Sequence, residues 1–469
     1  VTPNFIAQPL RESSNAKALP GWLKVGVSAL FLAGLLSLAL VIGRAPGLAH
    51  LISDENLIRR CLVVHVNLAL FVWLTSLLAA LWSSYSKTNN HFLTRGLTTI
   101  AAAGLTAFTA AAFVPNVQPL LSNYIPVLET PLFFYGIGLY ALTILIAAVA
   151  FLVHSNRRTL IPLWLRPPLQ GAAVLLILAG ITFLVSLVKL PTQLSGRLRY
   201  ELLFWGSGHL LQTTNEVGMM AVWLLLANRL GWKIEDRSWV WAVATGLLVV
   251  PAIAGPFWAA EIADTGSYLT RFTRLMQWGI FPGVTLATFF LLRSYLQSRQ
   301  HLPSSSLNFY WPGLVTGVGL TFYGYLMGAS IHRADTMVPA HYHAAIGGVT
   351  VTYMLAAYHL LQQAERPLLL PHIWRWQPVL FGVGQALFAL GFGIAGMARK
   401  VYGAAQIITG PREHFGLVIM AGGGLLAILG GLMFLAAMVY GGLGTAIFHI
   451  AIKRRNNAWE RMENTPSSG

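Results

Sequence analysis

Long uncharged apolar runs constrain this chain more than any other feature. A bilayer-spanning helix needs roughly 17–25 predominantly apolar residues, and about twelve runs meet that length. They fall at 24–42, 61–83, 96–114, 132–154, 171–188, 202–228, 239–258, 272–296, 309–327, 339–361, 378–397 and 415–452. The last run is longer than a bilayer requires and is expected to project beyond it. The connections are short and no repeat of fixed period stands out. The pattern therefore predicts an all-α integral membrane protein with one helical domain over 24–452. Residues 1–23 read as a polar cytoplasmic tail without a charged-then-apolar secretory signal, and 453–469 as a basic one.

Composition agrees. Hydrophobic residues make up 56% of the chain and charged residues 10%, with a mean hydropathy of +0.63; soluble domains carry about 25% charged residues. A net charge of +16 raises the question of nucleic acid. The basic residues, however, are scattered singly between apolar runs and form no stripe. The positive-inside rule accounts for them better, and the excess of Lys and Arg on the terminus side predicts cytoplasmic termini. Gly and Ala inside the runs suit close helix packing. The single cysteine, Cys61, excludes a disulfide framework, a CxxCH haem attachment and a multi-cysteine metal site.

Ionisable side chains inside lipid are costly, and their default reading is functional. Of the thirteen His, four sit within spans near the outer ends: His65 in the second, His209 in the sixth, His341 and His343 in the tenth. All three spans run from outside to inside, so the four imidazoles share one depth. Neutral His is a common ligand of haem iron. In the pair His341-Tyr342-His343, residues two apart point about 200° apart around a helix. They cannot bind one metal together, but they can bind two metals on opposite sides of the helix. A second helix carrying His65 could complete the axial ligation of one haem and leave the other open to a substrate. The bland alternative, a core His bonded to a carbonyl, suits any one of them better than it suits the set. His154, His359 and His449 lie near inner span ends and read as interfacial; His50, His91, His301, His372 and His414 lie in loops.

These residues resemble a known family. The stretch VPAHYHAAIGG (338–348) resembles the paired-His segment of haem-copper oxidases. That resemblance implies His341 on a high-spin haem and His343 on a low-spin haem. HVNLALFVWL (65–74) looks like a segment of nitric oxide reductases and implies His65 as the other low-spin ligand. LFWGSGHLL (203–211) resembles the segment whose His, here His209, binds a non-haem metal. GIAGMARKVYG (393–403) resembles the segment whose basic pair, here Arg399 and Lys400, contacts haem propionates; two interfacial basic side chains reaching headgroups would look the same. Together these imply the haem-copper oxidase subunit I arrangement, two haems, and a bacterial or archaeal cytoplasmic membrane.

The sequence departs from that pattern at the metal. Copper-containing members add an adjacent His pair after the seventh span, where PAIAGPFWAAEIADTG (251–266) places Ala259 and Ala260. The Tyr that many oxygen-reducing members carry four residues after the sixth-span His is Thr213 here. Nearby carboxylates are Glu216, about 10 Å deeper than His209 along the same helix face, and Glu261 and Asp264 after the seventh span. Oxygen ligands suit iron better than copper, so His209 with Glu261 is one expected non-haem iron site, with Glu216 relaying protons. Glu261 and Asp264 read equally well as loop acids, Asp264 as a helix cap. The resemblance then implies a membrane reductase, nitric oxide to nitrous oxide first, oxygen to water second, and a dihaem electron-transfer subunit third. Electrons would come from a cytochrome c or cupredoxin-like subunit or from quinol.

Overall fold

The computed structural model describes residues 21–42, 54–85, 91–155, 161–235, 238–299, 309–333, 335–366, 368, 370–397 and 410–443. The apolar runs become helices because lipid offers backbone groups no partners, so each pass must satisfy its own hydrogen bonds. The first pass is α1 (Gly21–Ile42). The second is α2 (Glu55–Val66), a π-helical stretch at Asn67–Val72, and α3 (Trp73–Tyr85). Asp54 caps α2 by accepting from Asn56 N at 2.9 Å. The third and fourth passes are α4 (His91–Ala110) and α5 (Pro131–Ser155). Between them a small antiparallel hairpin pairs β1 (Pro119–Leu120) with β2 (Val127–Leu128).

Then follow α6 (Arg166–Lys189) and α7 (Gly196–Arg229). The seventh pass is α8 (Ser238–Ala252) and α9 (Gly255–Ala260), interrupted just after Pro251. The eighth is α10 (Thr265–Gly279) and α11 (Phe281–Ser298). After these come α12 (Trp311–Ala329), α13 (Met337–Gln363), the short α14 (Pro371–Trp374) with α15 (Gln377–Ala395), and α16 (Pro411–Met438). Among the described residues eleven passes are long and apolar enough to cross a membrane, and α12, with 19 residues, supplies a twelfth. The chain is a multi-pass, all-helical membrane protein, as the apolar runs predict.

Two passes stand out by burial. In α7 and α13, 94% of the most apolar stretch is inside the protein, against 22% in α16. These two helices form the centre and the others surround them, so their polar residues face protein rather than lipid. Small residues let the shell close. A Cβ on Gly384 would lie 2.3 Å from the Ala427 backbone N, and one on Gly391 2.4 Å from that of Met420, so α15 and α16 touch backbone to backbone.

Candidate functional site: four anchored histidines

Helix α13 carries the paired histidines. Their spacing of two sends them to different neighbours, as helical geometry requires. The His341 Nδ1 lies 2.8 Å from Gly324 O on α12. A Cβ on Gly328 would sit 2.9 Å from that same nitrogen, so glycine is needed for the ring to lie flat against α12. His343 turns to α15, where its Nδ1 lies 2.9 Å from Gln385 Oε1 and its ring centroid 4.1 Å from that of Phe388. From Gly347 to Leu361 α13 is buried throughout, whereas His341, Tyr342 and His343 keep partial exposure.

His65 stands on α2 with its Nδ1 2.8 Å from Ala33 O of α1. Directly after it the helix widens into the π-helical stretch, a feature common at functional sites. Asn67, the first residue of that stretch, donates from Nδ2 to Val63 O at 2.9 Å and to Pro126 O at 2.8 Å, tying the second pass to the β1–β2 hairpin.

His209 is 3% exposed on α7, with its Nδ1 2.6 Å from Trp205 O. One turn earlier the Tyr268 hydroxyl enters the α7 ladder. It donates to Leu202 O at 2.9 Å and accepts from Gly206 N at 2.9 Å.

All four imidazoles share one arrangement. Each Nδ1 faces a carbonyl-type oxygen, which accepts only from an N–H. That fixes the proton on Nδ1 and leaves Nε2 with the lone pair. Metal-binding His are oriented in this way by outer partners. For His65, His341 and His343 the donor set fits haem: neutral imidazoles, rings held at Nδ1, and partial exposure. His65 and His343 would bind one haem and His341 the other.

At His209 the Nε2 is engaged by a phenol. The Tyr124 hydroxyl lies 3.0 Å away, and with Nδ1 protonated the phenol must be the donor. Tyr124 comes from the hairpin, not from a span. Its φ is +64°, and Ile125 N donates to Asn123 O across it at 2.8 Å, so it centres a γ-turn rarely adopted by residues with side chains. The ring lies against Gly208, where a Cβ would come within 2.2 Å of Tyr124 Cγ. Glu201 holds the turn by accepting from Asn123 N at 2.9 Å and from Asn123 Nδ2. Burial pushes the Tyr124 phenol well above its ordinary pKa, and Tyr342 and Glu201 push it further, so it stays protonated.

The carboxylates expected beside His209 separate. Glu216 is 6% exposed within α7, and its Oε2 accepts from Tyr325 Oη at 3.0 Å. Tyr325 follows Gly324, the anchor of His341, so Glu216 and His341 hang from consecutive residues of α12. The expectation that Glu261 joins His209 is corrected. Glu261 lies past the break after Pro251, with its side chain 57% exposed and ion-paired to Arg271. Phe272 stands between the two regions, its ring 5.8 Å from His209 and 5.4 Å from Trp258 of α9. Asp264 caps α10 by accepting from Ser267 N at 3.2 Å. Among the described residues no group of three or more His, Cys, Asp or Glu is placed to hold a metal ion. The residues around His209 thus do not fit a non-haem metal. His359, expected at the interface, is instead 1% exposed and accepts from Arg229 Nε at 3.3 Å. Arg399 and Lys400 lie outside the described residues.

No family model matches the chain. An uncharacterised protein of Aquifex aeolicus (strain VF5) is 28% identical over 347 residues, 73% of this chain and 84% of that one. An uncharacterised protein of Rickettsia prowazekii (strain Madrid E) is 25% identical over 491 aligned positions, 90% of this chain and 95% of that one. Among solved structures, one of a haem-copper terminal oxidase dimer matches with a TM-score of 0.68 and 15% identity, covering 93% of this chain and 85% of that one. The chain therefore shares its fold with that oxidase.

Proposed function

We propose that this chain is the haem-bearing subunit of a membrane gas reductase in the haem-copper oxidase superfamily, and that it reduces nitric oxide to nitrous oxide. The observation that carries this reading is the common anchoring of His65, His341 and His343 by Nδ1 to Ala33 O, Gly324 O and Gln385 Oε1. His154 and His209 share that anchoring; the reading adds to it the spacing of His341 and His343, which sends two imidazoles to opposite faces of α13. When bound, the two haems would supply one electron per iron and an open iron position for the gas. Two nitric oxide molecules, two electrons and two protons give nitrous oxide and water. Oxygen reduction to water needs four electrons and four protons.

The chain's own residues supply the rest. Nδ1–H bonds hold the ligand rings and raise their basicity. Glu216, whose Oε2 accepts from the Tyr325 hydroxyl, places a proton-carrying group within the membrane next to the element that anchors His341. Electrons would enter from a cytochrome c or cupredoxin-like partner, or from quinol, in a bacterial or archaeal cytoplasmic membrane with both termini inside.

A second reading, oxygen reduction, gains support from Tyr124. The sixth span lacks a Tyr at residue 213, but the hairpin brings one to the same His. An electrode separates the two readings. The reduced, purified complex should consume nitric oxide anaerobically and release one nitrous oxide per two molecules consumed, and His341→Ala should abolish this. Oxygen consumption without nitric oxide turnover would favour the second reading, and neither activity with both haems present would sink the first and second alike.

A further inference from the structure

The His209 imidazole has two nitrogens and both are spent on protein. Nδ1–H donates to Trp205 O at 2.6 Å, and the Tyr124 hydroxyl donates to Nε2 at 3.0 Å. A metal ion would need that Nε2 lone pair. The phenol does not rest there by chance. Its ring stacks edge-on to Trp205 at 5.9 Å and tilts against His209 at 4.8 Å between centroids. The hairpin that carries it is fastened on two sides, by Glu201 of α7 and by Asn67 of the π-helical stretch. The turn is held in a left-handed conformation that persists only where surroundings over-determine it. Gly208 removes the one side-chain carbon that would collide with the ring. The partners that the resemblance implies are displaced as well: Ala259 and Ala260 stand at its His-pair positions, and Glu261 is ion-paired to Arg271.

We propose that Tyr124 and His209 form a metal-free hydrogen-bonded pair in the place of a non-haem metal site, so that His209 is not a metal ligand in this protein. The pair rests on the dihaem reading, since it deepens the same site. It presents a phenol and a neutral imidazole, fixed through Trp205 O, Glu201 and Asn67, where a Lewis acid would otherwise stand. Tyr124 is then a positioning residue for His209, delivered from outside the membrane span.

Elemental analysis of the full chain, purified with its partners after growth in iron- and copper-replete medium, tests this against a haem count on the same sample. The expected result is two haems per chain, iron equal to haem iron, no stoichiometric copper, and no change in non-haem metal in His209→Ala. One additional iron or copper per chain, lost in His209→Ala while both haems remain, would overturn the pair. Should that variant fail to accumulate, the wild-type count decides alone, haem iron only supporting the proposal and one extra ion overturning it. Absence of haem would sink the dihaem reading itself, a separate outcome.

Discussion

Gly208→Ala should cost far more than a helix-favouring substitution suggests. Alanine is better than glycine in a helix by about 0.8–1.0 kcal/mol, so propensity alone predicts stabilisation. The structure predicts the reverse. The new Cβ would lie 2.2 Å from Tyr124 Cγ, 2.5 Å from its Cβ and 2.7 Å from its Cδ2. The ring cannot swing aside, because the γ-turn, Glu201 and Asn67 hold its backbone. Overpacking costs about 1–3 kcal/mol. Displacing the phenol leaves a buried His209 acceptor unpaired, another cost of about 1–3 kcal/mol. The sum is about 2–6 kcal/mol, less up to about 1 kcal/mol of helix propensity. Denaturant unfolding in detergent micelles reads the change. Tyr124→Ala removes the obstacle, so in the double variant Gly208→Ala should be close to neutral, and the coupling between the sites should equal the single-variant cost, about 1–6 kcal/mol. Wild-type stability in Gly208→Ala, or strict additivity in the double variant, would refute the placement of Tyr124.

Other residues give further expectations. Glu216→Gln keeps an oxygen for the Tyr325 hydroxyl but no acid proton; unfolding and haem spectrum should be unchanged while turnover falls by about 10²-fold, the scale of a lost proton-transfer group. Glu201→Ala strands two N–H donors of Asn123; hydrogen bonds to a charged acceptor contribute about 1.5–3 kcal/mol each, and hydrogen exchange at Tyr124 and Ile125 should accelerate. Outside the membrane, the Arg60 guanidinium 2.8 Å from Asp54 holds that carboxyl below its usual value of 3.8. A depressed carboxyl pKa contributes stability above the unfolded value and loses it as pH falls through the folded one. Stability should therefore drop below about pH 4 in the wild type and less steeply in Asp54→Asn.

Much of this was legible in the residues. The spans follow from apolar runs because lipid enforces helices, and the opposed faces of His341 and His343 follow from a spacing of two. Asp264 as a cap was one of two readings its position allowed. Tyr124 was not legible. It is 85 residues from His209, lies in a loop, and reaches the site only through a hairpin with a left-handed backbone. The faint signals were two glycines, Gly206 and Gly208, flanking an inward position on a central helix, where small residues mark close approach. Glu261 misled for a local reason: proximity in sequence to the end of the seventh pass did not foresee the break after Pro251, which leaves its carboxylate with Arg271 at the surface. His359 misled because nearness to a span end says nothing of burial when the helix lies at the centre of the bundle.

The haem count of His343→Ala tests the central claim most directly. The account assigns His65 and His343 to one haem and His341, on the opposite face, to the other. Pyridine haemochromogen analysis should give two haems per chain in the wild type and one in the variant. The sharp low-spin absorption should be lost and carbon monoxide binding by the remaining haem kept. Two haems with an unaltered low-spin spectrum in His343→Ala, or no haem in the wild type, would contradict it.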